Sequence, residues 1–424
     1  MTSPGSARGK KARAGKAPAG AQEPTGPFDL IVVGGGPAGM MAGLLFARAG
    51  CRVMVLEKHA DFFRDFRGDT VHPSTMEILD QLGMLDRFLK RPHSEIRRAD
   101  LRFAGREWRI ADFSRLQTVA PFIAMMPQWD FLDFLRDEGS AYPGFNLAMS
   151  TPVERFIEED GRVAGVRLRD GRELRARLVI AADGRTSIAR QLLPVEALAA
   201  PIDVLWFHVD KVKGPEGGLR FNIGGGAIIV LMDRDTYWQC AFVIPKGQAE
   251  LLTASGIGPI RERLAAAAPD LDLSGLNDVS DLKLLSVMLD RMTCWSKPGL
   301  LAIGDAAHAM SPIGGVGINL AIQDAVSAAN IVAAPLARGG DVDHLLDQVR
   351  HRRLYPTRFI QRAQKIIQDR IIWPMLRRGD RLERPPLIAR LFDRFPALRV
   401  IPGRLMGLGV RRERVRSPEV RPCA

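Results

Sequence analysis

The sequence predicts an α/β protein with a mixed-sheet domain, an interlocked antiparallel-sheet domain and a helical C-terminal region. Near the start, a strand, a glycine-rich turn, a helix and a second strand follow one another within residues 28–57. Between residues 199 and 292 the pattern changes to alternating strands. After about residue 337 the chain is arginine-rich and helical in character. A chain of 424 residues is long enough for two such domains.

The first unit begins with the apolar strand 28–33 and continues through the turn Gly34-Gly35-Gly36-Pro37-Ala38-Gly39 into a helix of small residues. Gly34 allows the tight turn, Gly36 lets the backbone approach a pyrophosphate, and Gly39 lets helix and strand pack closely. The free amides at the start of the helix, around Pro37 and Ala38, would face the phosphates. This Rossmann-like unit predicts a dinucleotide ligand without separating FAD from NAD.

The second strand of this unit ends at Glu57, 23 residues after Gly34, and Lys58 follows it. An acidic residue at this distance accepts hydrogen bonds from the adenosine ribose of a dinucleotide. The glycine pattern therefore has the flanking strands and the acidic residue that distinguish a binding motif from an ordinary glycine-rich turn.

Two further apolar strands end at acidic turns. Strand 176–182 leads into Asp183-Gly184, and strand 299–303 leads into Gly304-Asp305. The latter turn is followed by the glycine-rich loop from Pro312 to Gly317 and an apolar helix from about residue 318 to residue 334. A helix that starts there directs its positive end at a ligand and stabilises negative charge on it. A side chain at Gly315 would block that approach.

In order and spacing, these three motifs resemble those of the single-component FAD aromatic hydroxylases, the family of p-hydroxybenzoate hydroxylase and the ubiquinone-pathway hydroxylases. The resemblance covers about residues 28–335. It implies non-covalent FAD, with NADH or NADPH docking transiently as the reductant and no separate nicotinamide domain. It assigns Asp305 to the ribityl and pyrophosphate part of FAD and the glycine-rich loop to the isoalloxazine ring. It links Asp183 to both cofactors, whereas Arg190 is expected to brace the turn and His308 to be structural.

Two more FAD contacts follow from the resemblance. Arg67 matches by its distance to the helix that ends near Gly83, and Gln128 opens the amphipathic helix around residues 131–135. The predicted cofactor-binding residues are Gly34, Gly36, Pro37, Ala38, Gly39, Glu57, Lys58, Arg67, Gln128, Asp183, Gly304, Asp305, Pro312, Gly315, Gly317, Ile318 and Asn319.

The domain assignment follows these motifs. Residues 1–27, rich in Gly, Ala, Pro and Lys, are expected to form a disordered basic tail because they cannot bury enough apolar area. The remaining chain divides into a discontinuous FAD-binding domain (28–96, 120–198 and 293–337), a substrate domain (97–119 and 199–292) and a C-terminal helical region (338–424). A short hairpin between residues 101 and 110 is expected to join the antiparallel sheet of the substrate domain.

The function implied by the resemblance is that of a monooxygenase. It would use NAD(P)H and O2 to hydroxylate an aromatic, quinol-like or polyketide-like small molecule through a flavin C4a-hydroperoxide. The antiparallel sheet would cover the flavin and exclude water. Alternation along strand 237–244 leaves two possible inward sets, either Tyr237, Gln239 and Ala241 or Trp238, Cys240 and Phe242.

The residue that transfers a proton is left open. A phenolic substrate would benefit from a nearby base, and Tyr237, His72 and His208 are the candidates. Two other functions also stay open, namely an FAD-dependent reductase or desaturase of the prenyl-reductase type and a non-catalytic flavin redox sensor. A flavin-dependent halogenase is disfavoured because Cys240 and Phe242 stand where halogenases carry tryptophans, and residues 59–89 contain no lysine.

The net charge of +12 is concentrated at the ends, with +4 in residues 1–27 and +5 in residues 397–424. The weakly basic body argues against a nucleic-acid partner, and the C-terminal end is expected to be a solvated tail or a peripheral contact with anionic lipid. No signal sequence, no run of eighteen apolar residues and no clustered cysteines are present, so a cytoplasmic protein without a metal site is expected. Oligomeric state is not predicted.

Overall fold

The computed structural model describes residues 27–63, 69–103, 105–211, 218–378 and 387–420. The predicted disordered tail and the predicted contact Arg67 lie outside these ranges, apart from Pro27.

The described residues form twenty strands: β1 (Phe28–Val33), β2 (Val53–Leu56), β3 (Thr70–Val71), β4 (Ser94–Ile96), β5 (Arg98–Phe103), β6 (Arg106–Asp112), β7 (Ile123–Met125), β8 (Phe145–Ala148), β9 (Val153–Glu159), β10 (Arg162–Leu168), β11 (Glu173–Ala181), β12 (Val195–Leu198), β13 (Ile202–Asp210), β14 (Leu219–Gly224), β15 (Ala227–Asp233), β16 (Tyr237–Pro245), β17 (Lys283–Leu285), β18 (Leu289–Met292), β19 (Ser296–Lys297) and β20 (Leu300–Ala302).

The α-helices of the described residues are α1 (Pro37–Arg48), α2 (Pro73–Gln81), α3 (Leu85–Leu89), α4 (Gln128–Gly139), α5 (Ala249–Thr253), α6 (Gly258–Ala267), α7 (Gly317–Ala328), α8 (Ala334–Ala337), α9 (Leu346–Ile367), α10 (Trp373–Arg378), α11 (Leu387–Arg394) and α12 (Val400–Gly407). Two π-helical segments, Ala329–Ala333 and Gln368–Ile372, join α7 to α8 and α9 to α10.

The first sheet has the strand order β19-β20-β11-β1-β2-β8, and β10 and β9 extend it from β11. Strands β20, β11, β1, β2 and β8 pair in parallel, and β1, β2, β20 and the C-terminal part of β11 are almost wholly buried because helices cover the sheet. The carboxyl ends of parallel strands meet at one edge, where ligands bind in this class of fold. The residues that follow β1, β2, β11 and β20 therefore come together, which confirms the predicted mixed-sheet domain.

The second sheet has the order β17-β13-β16-β15-β14-β5-β6. All its pairs are antiparallel except β14 with β5, which run in parallel. The β5–β6 hairpin thus joins this sheet, as the sequence predicts. The sheet's two faces pack differently, and this decides between the two sets of inward residues on β16.

On one face of the second sheet, Trp238, Cys240 and Phe242 pack against Ile260 and Leu264 of α6. The opposite face of β16 belongs to a second apolar cluster that extends to the glycine-rich loop and to the C-terminal helices; it contains Val204, Trp206, Ala241, Val243, Ile313, Met375 and Met406. Side chains at alternate positions of a strand share a face, so Tyr237, Gln239 and Ala241 lie together on the face that points towards the first domain.

Residues 411–420, which we call the C-terminal strap, run back across the first domain. Arg412 pairs with Glu77 of α2, at 2.5 and 2.7 Å, and Arg48 of α1 donates to the carbonyl of Ser417 at 2.9 Å. The backbone N–H of Arg416 donates to the Asn330 side chain at 2.7 Å. The expected solvated tail is therefore wrong for these residues, because the side chain of Arg412 and several backbone groups find partners that lie far away in sequence.

One helical run among the described residues, Ile313–Ala337, is long and apolar enough to cross a membrane by length and composition. It is the core run that includes α7 and α8, and 72% of its most apolar window is buried inside the protein. Packing against α1 accounts for its apolar composition, since α1 and α7 contribute to the same buried cluster.

Candidate cofactor and active site

The glycines of the first turn meet two different requirements. Gly34 has φ +105°, and a Cβ there would lie 2.5 Å from the Ala182 carbonyl oxygen. A Cβ on Gly39 would lie 1.9 Å from the Gly34 carbonyl oxygen. These two positions are closed by the protein itself. At Gly36, in contrast, no atom of the described protein lies within 4 Å of the added Cβ, so the space beside it is available to a ligand.

Glu57 braces the same turn from the end of β2. Its Oε2 accepts the N–H of Gly35 at 2.9 Å, its Oε1 accepts the N–H of His59 at 3.0 Å, and the residue is buried. A carboxylate at the end of this strand is the kind of group that accepts hydrogen bonds from the adenosine ribose of a dinucleotide. The adjacent Lys58 is exposed, and its charge favours the ionised form of Asp183.

Asp183 follows β11, and one of its carboxylate oxygens has no partner among the described residues. Its Oδ2 accepts the N–H of Ile188 at 3.0 Å, whereas Oδ1 is buried and has no hydrogen bond within the described part of the chain. Burial raises the pKa of Asp183 above its ordinary value, although Ser187 and the Ile188 N–H favour the charged form. Buried polar atoms are almost always hydrogen-bonded, so this oxygen is suited to a donor from a bound ligand or water.

Hydrogen bonds to Asp324 and from Arg190 hold the Gly304-Asp305 turn in place. The Gly304 N–H donates to Asp324 Oδ2 at 3.1 Å, and Arg190 donates to the Asp305 carbonyl at 3.1 Å. Arg190 also makes a bidentate pair with Asp290, at 2.8 and 2.9 Å. The Asp305 side chain is 42% exposed, and its carboxylate lies 3.9 Å from the guanidinium of Arg185. The side chain of Arg190 thus braces the Gly304-Asp305 turn, rather than the Asp183-Gly184 turn for which it was predicted.

The turn also lies close to the first motif. A Cβ on Gly304 would lie 3.0 Å from Cβ of Ala38 on α1 and 3.2 Å from Cβ of Ala321 on α7. The N-terminal ends of α1 and α7 lack a side-chain cap, so their first N–H groups remain available to anionic ligand atoms. The structure therefore brings the first and third motifs together at one edge of the sheet.

The glycine-rich loop packs against residues that the sequence did not single out as a group. A Cβ on Gly315, where φ is +62°, would lie 2.9 Å from Thr70 Oγ1 and 3.5 Å from His72 Nε2. Thr70 donates to the Gly315 carbonyl at 3.2 Å. At the start of α7, Asn319 Oδ1 accepts the His72 N–H at 3.3 Å and the Thr75 hydroxyl at 2.7 Å. Gly317 begins α7, while Pro312 and Ile318 are half-buried beside it.

A buried ionic pair joins the two domains next to this loop. Asp69 pairs with Arg234 at 2.7 Å, and their side chains are 10% and 6% exposed. Burial raises the pKa of Asp69, and Arg234, the Gln239 side chain and the backbone of Gln128 oppose this shift. Gln128 is thus placed at the junction, whereas the contact between Asp69 and Gln239 was missed because the two residues lie far apart in the sequence.

The three candidate bases occupy two places. His72 is fully buried beside Gly315, and its Nδ1 donates to the Met406 carbonyl at 2.8 Å, so Nε2 carries the lone pair in the neutral ring. Tyr237 and the exposed His208 lie on neighbouring strands with their rings edge to face at 6.0 Å. His308 is buried, and its Nε2 is hydrogen-bonded to Asp324 Oδ2 at 2.6 Å, which is consistent with a structural role for this residue.

Because His72 is buried, we expect it to make the stability of the folded protein sensitive to acid. Burial lowers the pKa of His72 from 6.5 to about 4, with the Met406 carbonyl acting in the opposite direction. The unfolded chain then binds a proton near pH 6.5 that the folded chain excludes until about pH 4. The contribution of neutral His72 to the free energy of unfolding is complete above pH 6.5 and is lost as the pH falls towards 4. We therefore expect this residue to lower the free energy of unfolding by about 2 to 3 kcal/mol between pH 7.5 and pH 4.5.

The measurement is the free energy of unfolding at both pH values, for wild type and for His72→Gln. The carboxylates that titrate in this range contribute equally to both proteins. The variant should therefore show the smaller loss on acidification, and identical losses would disprove the assignment.

Comparison with known proteins agrees with this geometry. Residues 28–363 match the family model described as the FAD binding domain. The chain is 34% identical over 400 residues to 6-methylpretetramide 4-monooxygenase from Streptomyces rimosus, covering 92% of this chain and 94% of the relative. Among solved structures, p-nitrophenol 4-monooxygenase from Pseudomonas putida DLL-E4 has a TM-score of 0.72 at 21% identity, covering 91% of this chain and 99% of the other.

The fold and the relatives define an FAD-dependent oxidoreductase of the monooxygenase class. The chain belongs to the FAD binding domain family, among the FAD-dependent aromatic hydroxylases. The fold alone does not separate these enzymes from halogenases. The flavin-dependent brominase Bmp2 has the same TM-score of 0.72 at 15% identity, covering 92% of this chain and 95% of that structure.

Proposed function

We propose that this chain hydroxylates an aromatic polyketide-like small molecule with O2, with NADH or NADPH as the transient reductant. The observation that carries the proposal is the apolar face of the second sheet, which packs towards the glycine-rich loop at Ile313 and includes Trp206, Ala241 and Val243. Such a face favours a flat, apolar ring system. The relative that is similar over nearly its whole length carries the name of a 6-methylpretetramide monooxygenase.

The described residues fit FAD. The open space beside Gly36 and the uncapped start of α1 suit the pyrophosphate, and the carboxylate of Glu57 at the end of β2 suits the ribose. Asp183 offers its unpartnered oxygen, and the exposed carboxylate of Asp305 lies at the same edge. We propose that these residues hold FAD without a covalent bond, together with Lys58, Gln128 and the loop from Pro312 to Asn319.

Bound FAD would supply the oxygen-activating chemistry. The chain's own task is to bind and orient the substrate and to exclude water from the reacting atoms. The second sheet serves this task, because its inner face is apolar and buried from Val204 on β13 to Val243 on β16. The ionic pair of Asp69 and Arg234 fastens that sheet to the segment before β3 and so sets its distance from the loop.

The proton-transfer residue is proposed from position. His72 lies against Gly315, at the loop where we place the isoalloxazine ring, and its neutral ring has an acceptor nitrogen on that side. Tyr237 and His208 lie at one end of the sheet and suit contact with a substrate substituent. His72 is therefore the first candidate to replace, with activity measured as a function of pH.

The test begins with the visible spectrum of the purified protein, which should show bound flavin. Phenols, quinols and polycyclic aromatic polyketides are then screened for stimulation of NADH and NADPH oxidation, with oxygen uptake and product mass recorded. We expect uptake coupled to a product that is heavier by one oxygen atom. A product formed without oxygen uptake would favour the reductase alternative, and flavin binding without substrate-stimulated oxidation would favour the redox sensor. A preparation that cannot be reconstituted with FAD would overturn the proposal.

A further inference from the structure

A series of buried ionic groups connects the C-terminal strap with the interior of the first domain. Arg353 of α9 has a fully buried side chain. Its Nε donates to Asp324 Oδ1 at 2.8 Å, and its Nη1 donates to Glu413 Oε1 at 3.4 Å. The Asp324 and Glu413 side chains are 0% and 5% exposed. One buried guanidinium therefore bridges a carboxylate of the strap and a carboxylate of α7.

The other oxygen of Asp324 reaches the third motif. Asp324 Oδ2 accepts the backbone N–H of Gly304 at 3.1 Å and is bonded to His308 Nε2 at 2.6 Å. Burial alone would raise the pKa of Asp324, but His308 and Arg353 outweigh it and hold this pKa below its ordinary value. Asp324 is therefore ionised at neutral pH, and the same carboxylate holds both Arg353 and the turn that precedes Asp305.

The strap is also tied to α7 by its backbone. The N–H of Glu413 donates to Gln323 Oε1 at 3.1 Å, one residue before Asp324. The guanidinium of Arg353 already has more donors than acceptors, since its Nη2 is buried without a hydrogen bond in the described chain. If Glu413 loses its charge, the N–H groups of Arg353 compete more strongly with Gly304 for the oxygens of Asp324. The turn would then lose its fixed hydrogen bond.

We propose that Glu413 is a positioning residue for the cofactor, acting through Arg353 and Asp324 to hold the Gly304-Asp305 turn in the conformation that binds FAD. This inference rests on the proposed placement of FAD at that turn. It assigns a function in the FAD site to the C-terminal strap, a segment more than 100 residues from the turn in sequence.

The test is the affinity of the apoprotein for FAD, measured by titration and flavin fluorescence for wild type, Glu413→Gln, Glu413→Asp, Asp324→Asn and the Glu413→Gln/Asp324→Asn double variant. We expect Glu413→Gln to raise the dissociation constant about fivefold, within the range of coupling between sites that do not touch the ligand. Glu413→Asp, which keeps the charge, should restore most of the affinity. The effects of Glu413→Gln and Asp324→Asn should be less than additive, because both act on one network.

The matched control is Arg412→Gln. Arg412 is the strap neighbour of Glu413, but it pairs with Glu77 of α2 rather than with the Arg353 network. Its FAD affinity should stay within about twofold of wild type. A lower melting temperature for Glu413→Gln with unchanged FAD affinity would overturn the inference, and so would equal losses of affinity for Glu413→Gln and Arg412→Gln. Wild-type apoprotein that fails to bind FAD would instead refute the proposed function.

Discussion

Replacing Gly36 by valine should raise the dissociation constant for FAD about 100-fold, because the added side chain occupies the space where the pyrophosphate is expected. The apoprotein should fold almost as well as wild type, with a melting temperature lowered by no more than about 3 °C. The reason is that a Cβ at this position meets no atom of the described residues outside its own turn within 4 Å, and the φ of Gly36, −73°, is open to any residue. FAD titration of the apoprotein and thermal unfolding without FAD measure the two effects separately.

Gly39→Ala is the matched control for this prediction. Its Cβ would lie 1.9 Å from the Gly34 carbonyl oxygen, so the substitution should damage the turn itself and lower the melting temperature of the apoprotein. The two glycines are three residues apart, yet one is needed by the ligand and the other by the protein. Wild-type FAD affinity in Gly36→Val would show that the cofactor does not approach this turn.

Replacing Arg353 by alanine should lower the free energy of unfolding by about 3 to 5 kcal/mol, because it removes the guanidinium that pairs with the buried carboxylate of Asp324. Arg353 is 0% exposed, as is Asp324, so water cannot replace the lost partner. Urea unfolding, monitored by circular dichroism, measures the loss. If Arg353→Ala does not accumulate as a folded protein, Arg353→Lys keeps the charge and should show a smaller loss.

The adjacent Arg352 provides the comparison. It also pairs with Glu413, at 2.8 and 3.1 Å, but its side chain is 35% exposed. Partly solvated pairs contribute little, so Arg352→Ala should cost about 1 kcal/mol or less. The two variants remove the same residue type from neighbouring positions on α9. Equal losses would show that burial does not govern the strength of these pairs.

The features that the sequence predicts well depend on short stretches of chain. The turn from Gly34 to Gly39 requires glycines at fixed spacing, and Glu57 ends the strand that follows, so both are recognisable without tertiary information. The same holds for Asp183 and Asp305, since each lies in the turn that follows an apolar strand. The parallel pairing of these strands then brings the residues to one edge of the sheet.

Alternation along β16 predicts a strand with two faces, but period alone does not say which face is inward. That depends on α6, which covers the side of Trp238 and Cys240 and leaves the side of Ala241 for the first domain. In the same way, the sequence does not show that the ring of His72 is bonded to the carbonyl of Met406, which lies 334 residues later in the chain.

The basic C-terminal end shows how composition can mislead. Its arginines predict a solvated tail, since charged residues without periodic apolar positions usually remain in water. In the structure, however, residues 411–420 are held by Glu77, Asn330 and Arg48, each of which lies at least 80 residues away in sequence. Charge indicates what a segment can pair with, and the fold determines whether a partner is within reach.

The sequence by itself therefore determined the class of fold, a dinucleotide ligand and the residues at the strand ends, because these depend on local spacing and on the handful of ways in which parallel strands can be arranged. The choice of FAD followed from the resemblance of the three motifs to a known family. Only the tertiary structure decided the inward face of the second sheet, the contact of His72 with the glycine-rich loop and the connection from Glu413 through Arg353 to Asp324. Each of these joins groups far apart in the chain, and their energies depend on burial and distance, which no local pattern encodes.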